Sequence, residues 1–176
     1  MPREFNLDGR LVGDGQPTYV VAEIGINHNG DMDIVKRLID AAKASGCNAV
    51  KFQKRTPEMC VPLEMREQMR ETPWGYITYL DYRYKIELGF DDFQEIDRYC
   101  REKEISWFSS CWDVESIDFI EKFDTPCYKV ASATLTNREL LEGLRATSKP
   151  VILSTGMSSM EQIRAAVAIL DIDNLL

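Results

Sequence analysis

Thr18-Tyr19-Val20-Val21-Ala22-Glu23-Ile24-Gly25-Ile26-Asn27-His28-Asn29-Gly30-Asp31 is the stretch whose reading decides the fold. Its first half is apolar and β-branched, long enough for one buried strand. It then breaks into a polar turn, Asn27 to Gly30, and opens a helical pattern at Asp31. A carboxylate, Glu23, sits inside the apolar run, where an unpartnered charge would be costly. The stretch reads as a strand of an α/β protein whose C-terminal end carries polar chemistry, and the chain around it reads as repeats of that unit.

Upstream, residues 1–17 are polar, with Gly9, Gly13, Gly15 and Pro17, and form an N-terminal arm; residues 18–176 form the domain proper. Strand one is Thr18–Ile24. Asp31 caps a helix in which Ile34, Val35, Leu38, Ile39 and Ala42 recur at helical spacing, and Ser45-Gly46 ends it. Asn48–Gln53 is strand two, apolar and then abruptly polar. Lys54–Gly89 is irregular and punctuated by Pro57, Pro62 and Pro73, with short helices expected at Glu64–Arg70 and Thr78–Leu88. It is too long for a plain loop, so it reads as an excursion covering a site or an interface. Its Trp74, Tyr76, Tyr79, Tyr82 and Tyr84 read as packing of that excursion.

The alternation then resumes. Phe93, Ile96, Tyr99 and Cys100 line one helical face, and Ile105–Ser109 is strand three. Asp113–Phe123 is a helix and Pro126–Val130 strand four. Asn137 caps a helix through Arg145, and Pro150–Leu153 is strand five. Ser158 or Ser159 caps the next helix, with Ser158 and Glu161 spaced as a capping box. Asp173–Leu176 begins a sixth strand. Short strands alternating with helices imply a parallel sheet. An open doubly wound sheet fits, and so does a (β/α)8 TIM barrel, of which this would be about five-eighths. Neither G-x-G-x-x-G nor G-x-x-x-x-G-K-[ST] occurs, which favours the barrel: about five βα units plus the start of strand six.

The bulk numbers narrow the function classes. With 44% hydrophobic and 28% charged residues the chain is globular. A net charge of −8 argues against a nucleic-acid partner, yet leaves room for a small anion held by two or three local cations. No apolar run approaches membrane-spanning length, and Met1–Phe5 begins no signal segment, so no membrane and a cytoplasmic location are the expectation. Five cysteines without a C-x-x-C pair suit neither a zinc site nor a disulfide framework.

In either architecture, function sits at the C-terminal ends of the strands. Those ends carry Glu23 with Asn27-His28-Asn29, then Lys51 and Gln53, Ser109-Ser110, Lys129 and Ser132, and Ser154-Thr155. Two lysines, several hydroxyls and turn amides on one rim would hold a phosphate or carboxylate. Lys51 and Lys129 could instead pair with strand carboxylates. Glu23 reads either as their ion-pair partner or as a catalytic or sugar-binding group. His28 reads either as an acid or base or as an organiser of its turn. Cys111 has no second histidine to activate it as a nucleophile.

Ala22-Glu23-Ile24-Gly25-Ile26-Asn27-His28-Asn29-Gly30, Val50-Lys51-Phe52-Gln53, Tyr128-Lys129-Val130-Ala131-Ser132 and Leu153-Ser154-Thr155-Gly156-Met157, in that order, resemble the sialic acid synthase family. Its members are the N-acetylneuraminate synthases and their legionaminic and pseudaminic acid relatives. The resemblance implies a phosphoenolpyruvate-dependent enzyme that forms a carbon–carbon bond with N-acetylmannosamine, a related N-acyl sugar, or its 6-phosphate. It maps the phosphoenolpyruvate pocket onto Lys51, Ser110, Lys129, Ser132 and Ser154, with Gln53 nearby. Glu23 would be the catalytic residue facing the sugar, and Asn27, His28 and Asn29 possible contacts. The family usually has Thr at Ser110 and Pro-Phe at Cys111-Trp112. The resemblance also implies a divalent metal, Mn2+ or Mg2+, whose ligands come from later strands, so no metal ligand is expected in this chain. A C-terminal antifreeze-like domain reaching into the partner subunit implies a homodimer. The chain therefore looks like the front portion of a synthase, inactive by itself. Rival readings are a synthase of another sugar acid and a non-catalytic fragment or pseudoenzyme that binds an anion or a partner.

Overall fold

The computed structural model describes residues 4–171, and the sixth strand expected at 173–176 lies outside them. The arm is an antiparallel hairpin, β1 (Glu4–Leu7) and β2 (Arg10–Gly13). Its two-residue turn is Asp8-Gly9, both at positive φ, the pair a type I′ turn requires. Then follow β3 (Val21–Gly25), α1 (Met32–Ala44) and β4 (Ala49–Lys54). The excursion holds the single turns α2 (Pro57–Cys60) and α3 (Leu63–Arg66), the hairpin β5 (Met69–Thr72) and β6 (Gly75–Thr78), and α4 (Tyr79–Ile86). The alternation continues with α5 (Phe90–Glu102), β7 (Ser106–Cys111), α6 (Val114–Ile120), β8 (Tyr128–Val130), α7 (Arg138–Ala146), β9 (Val151–Leu153) and α8 (Met160–Leu170).

One parallel sheet of five strands runs β3-β4-β7-β8-β9, in chain order. A doubly wound sheet reverses its strand order at a switch point. This sheet never does, so it is built as consecutive staves of a (β/α)8 barrel. The barrel is not closed: among the described residues β3 and β9 are its edges. No helix among the described residues is long and apolar enough to cross a membrane.

The period of two along each strand sorts the side chains into two faces. Val50, Phe52, Trp107, Tyr128, Val130 and Val151 point to the helices and join the main core. There Phe93 packs on Phe52, Trp107, Phe119 and Phe123, with ring centroids 5.4–6.2 Å apart. The other face changes character along the strands. At the N-terminal ends Ala49, Phe108 and Cys127 meet Leu7 of the hairpin in a second, apolar cluster, with Ile152 against it. Two residues further along the same strands stand Lys51, Ser110, Lys129 and Ser154. The N-terminal hairpin thus covers the apolar end, and the polar layer stays at the other.

Several expected boundaries move. Strand one begins at Val21 rather than Thr18 because Asn48 Oδ1 takes the Val20 N–H at 2.7 Å, outside the ladder. Strand three runs on to Cys111, which places Ser110 inside the sheet. The helix expected at Glu64–Arg70 is one turn, and Met69–Thr72 is a hairpin strand. Its inward residues are Arg70 and Thr72, so it lacked the apolar alternation that identifies strands. Helix α6 stops at Ile120 rather than Phe123. The last helix is capped by Ser159 with Gln162 in a capping box, not by Ser158 with Glu161.

Asp113 ties the base of the excursion to the sheet. Its carboxylate accepts from the Thr56 N–H at 2.7 Å, the Ser116 N–H and hydroxyl at 2.7 Å each, and Cys60 Sγ at 3.2 Å. Burial alone would raise its pKa, but these hydrogen bonds outweigh it and hold the carboxyl below its usual value. A depressed carboxylate contributes stability that is present above its unfolded pKa and lost as pH falls through the folded one. Asp113→Asn is expected to cost roughly 2–4 kcal/mol at pH 7 and to blunt the acid sensitivity of melting. A variant melting like the parent from pH 7 to pH 3 would contradict this.

Candidate anion-binding site

The polar layer is built by neighbouring strands. Glu23 of β3 stands in register with Lys51 of β4, and Ser110 of β7 with Lys129 of β8. Lys51 is buried, and its Nζ donates to Ser110 Oγ at 3.0 Å and forms an ion pair with the Glu23 carboxylate. Glu23 itself stays half exposed, at 51% of its side chain, so its second oxygen remains open to a ligand. The register shifts between Glu23 and Gly25, a bulge of the kind that re-aims a side chain. Gly25 makes it possible: its φ is +58°, and a Cβ there would lie 2.9 Å from Glu23 Oε1 and 3.1 Å from Gln53 Nε2. The bulge thereby brings Glu23 and Gln53 side by side.

Lys129 is half-buried and makes no ion pair or side-chain hydrogen bond among the described residues. Burial first, and the positive charge of Lys51 second, hold its pKa below the usual lysine value, while Glu23 acts in the opposite sense. Two ammonium groups within each other's field, with one half-solvated carboxylate paired to Lys51, leave positive charge to spare for a ligand. Ser154 follows β9 directly, its N–H bound to Val130 O at 3.1 Å. Ser132 opens a short 3-10 turn after β8, against Gly156, where a Cβ would lie 3.7 Å from Ser132 Oγ.

One sequence candidate, His28, is turned away from this layer. His28 is 2% exposed, and its ring packs towards Phe52, whose side chain belongs to the sheet–helix core. Its Nδ1 accepts the Gly30 N–H at 3.0 Å, so it organises the turn. Burial lowers its pKa, which keeps it neutral in that role. Asn27 and Asn29 are exposed in the same turn. Among the described residues no group of three His, Cys, Asp or Glu could hold a metal ion, so the side chains present do not fit the expected divalent cation. Cys111 is fully buried, burial pushes its thiol well up, and Sγ donates to Ser116 O at 3.4 Å, leaving no thiolate to react. A cleft of about 390 Å³ lined by Asp8, Asp97 and Ser106 lies at the opposite, N-terminal end of the strands.

Sequence reasoning overlooked Lys54 and Arg55. Lys54 Nζ binds Glu87 Oε1 at 3.0 Å and Leu88 O at 3.1 Å, closing the excursion back on β4. Arg55 is 1% exposed, and its Nη2 donates to Gln53 Oε1. The signal was available, since both continue the polar end of strand two, but nothing local showed that the excursion would bury them.

Known proteins resemble this chain in sequence and in structure. The human N-acetylneuraminate-9-phosphate synthase is 34% identical over 167 residues, covering 93% of this chain and 46% of that protein. The N,N'-diacetyllegionaminic acid synthase of Campylobacter jejuni is 31% identical over 156 residues, covering 87% and 46%. The crystal structure of N-acetylneuraminic acid (sialic acid) synthetase from Leptospira borgpetersenii superposes with a TM-score of 0.86 at 27% identity, over 97% of this chain and 56% of that one. The chain thus spans about half the length of the curated relatives it matches, 46% in both cases. The NeuB family profile covers residues 38–175, most of the sheet and the helices that position its polar layer, and the chain belongs to the NeuB family.

Proposed function

We propose that this chain supplies the phosphoenolpyruvate-binding half of a synthase that condenses phosphoenolpyruvate with an N-acyl sugar, giving a nonulosonic acid and phosphate. The single observation carrying the reading is the surplus of positive charge where buried Lys51 and half-buried Lys129 stand beside Ser110. In a protein of the relatives' full length, C3 of phosphoenolpyruvate forms a bond to the aldehyde carbon of the open-chain sugar. Water adds at C2, and the C–O bond to phosphate breaks. Lys51, Lys129 and the hydroxyls of Ser110, Ser132 and Ser154 hold the phosphate and carboxylate and stabilise the charge that develops as phosphate departs. Glu23, open on its solvent side, faces the sugar and the reacting carbon, with Gln53 beside it. No covalent nucleophile is needed. A homodimer and a divalent cation, Mn2+ or Mg2+, complete the proposal for that longer protein; the cation's ligands would come from residues outside the described ones, and it would supply Lewis acidity.

Titrating phosphoenolpyruvate against the parent chain and Lys129→Ala tests the pocket. Removing one of two cations that hold the same anion is expected to weaken binding about tenfold or more. Because Lys129 loses its proton at lower pH than a solvated lysine, affinity in the parent falls as pH rises, earlier than the usual lysine value of about 10.4 dictates. That component is absent from Lys129→Ala. Unchanged affinity in the variant would refute the anion role of this residue.

A further inference from the structure

Three arginines gather beside this layer, and among the described residues none of them is held in an ion pair. Arg55 is buried under the excursion, its guanidinium carbon 4.6 Å from the centre of the Trp112 ring, and its Nε and Nη1 have no hydrogen-bond partner. Arg70 of β5 and Arg83 of α4 lie over the Tyr79 ring, 3.6 and 5.5 Å from its centre, and each leaves a buried Nε unpartnered. Glu87, whose charge acts on Arg55, is already engaged by Lys54 Nζ and by the Arg55 backbone N–H at 2.9 Å. Burial and then the charge of Arg83 push the Arg55 pKa below its usual value, so the Arg55 guanidinium feels that of Arg83.

An unpaired buried N–H costs about 1–3 kcal/mol, and like charges add to that. A purely structural cluster would bring in a carboxylate. An oxyanion from outside does the same work, and planar guanidinium groups match its geometry. Arg70 and Arg83 are half-buried and keep some exposed surface, while Arg55 is buried. The cluster also touches the condensation layer: Gln53 accepts from Arg55 Nη2 on one side and stands by Glu23 on the other.

We propose that Arg55, Arg70 and Arg83, gathered around Tyr79 and joined through Gln53 to the Glu23–Lys51 layer, form a second oxyanion subsite that takes the phosphate ester of a sugar-phosphate acceptor. The identity of the ester rests on the condensation reading; the subsite itself rests on the arginines. Arg70 and Arg83 contact the phosphate, and Arg55 supplies charge from its buried position. The ester sits on the sugar side of Glu23, away from the lysines that hold phosphoenolpyruvate.

The test titrates the chain with N-acetylmannosamine 6-phosphate, N-acetylmannosamine, inorganic phosphate and phosphoenolpyruvate, in the parent and in Arg83→Gln, Arg70→Gln and Lys129→Ala. Arg83→Gln is expected to weaken the sugar phosphate about tenfold and to leave phosphoenolpyruvate unchanged. Lys129→Ala is expected to do the reverse. Inorganic phosphate binding as tightly as the ester, with the same dependence on Arg83, supports the subsite and overturns its assignment to an ester. Arg83-dependent phosphate binding without any phosphoenolpyruvate binding supports the subsite and overturns the condensation reading. If neither Arg83→Gln nor Arg70→Gln alters any affinity while both melt like the parent, the proposal fails. Should either variant unfold, Arg83→Lys, which keeps the charge, replaces it, with partial retention of sugar-phosphate affinity expected and full retention counting against bidentate recognition.

Discussion

Replacing Lys51 with alanine is expected to lower phosphoenolpyruvate affinity by about two orders of magnitude, the largest loss of any single change in the polar layer. Lys51 is the buried centre of that layer, bound to Ser110 and paired with Glu23, with Lys129 beside it. Truncating one partner of a buried, hydrogen-bonded charge pair costs roughly 2–5 kcal/mol, and about 1.4 kcal/mol is tenfold in affinity. The change acts twice, because it removes a cation and leaves Glu23 as an uncompensated negative charge facing the ligand. Glu23 is half exposed, so water can solvate it and the fold should tolerate the change. The double variant Lys51→Ala/Glu23→Gln is therefore expected to recover part of the lost affinity without matching the parent. Isothermal titration of the four proteins reads both effects. A loss below threefold for Lys51→Ala would place the anion elsewhere.

Gly30→Ala is expected to produce the largest loss of stability from a single added methyl group in the rim turns, about 3 kcal/mol or more. Gly30 has φ +71°, a left-handed conformation that costs an alanine about 1–2 kcal/mol. Its missing Cβ would also lie 2.3 Å from Lys85 O, a backbone atom of α4 that cannot swing away. Either the turn after β3 or the end of the excursion must move, and the His28 bond to the Gly30 N–H moves with it. Gly46→Ala is the control: its φ is +79° but nothing lies within 4 Å of the new Cβ. That variant carries the conformational cost alone. Thermal melting of the pair separates the two terms, with Gly30→Ala expected about 6–12 °C below the parent. Equal shifts would show that the contact with Lys85 relaxes freely.

The repeated strand and helix units were legible because each carries its own local signal. Val50, Phe52 and Trp107 alternate with Lys51 and Ser106, and Asp31 and Asn137 cap their helices through side-chain bonds that depend only on neighbours two or three residues away. The candidates Glu23, Lys51, Gln53, Ser110 and Lys129 were legible for a related reason. Parallel strands that start together finish together, so polar residues at successive strand ends arrive on one rim. The excursion was read poorly. Its hairpin strands turn Arg70 and Thr72 inward, and no local pattern marks a polar residue as buried.

By itself, then, the sequence determined the α/β class, the order of the units and the rim on which the polar groups gather, since periodicity, capping and turn chemistry act between near neighbours. Only the tertiary structure decided which groups touch. The sequential strand order separated barrel from doubly wound sheet. The bulge at Gly25 joined Glu23 to Gln53, while the turn buried His28 towards Phe52, away from the layer. The excursion folded Arg70 and Arg83 down beside Arg55. These are contacts between residues dozens of positions apart, set by how elements pack, and no stretch of chain encodes them alone.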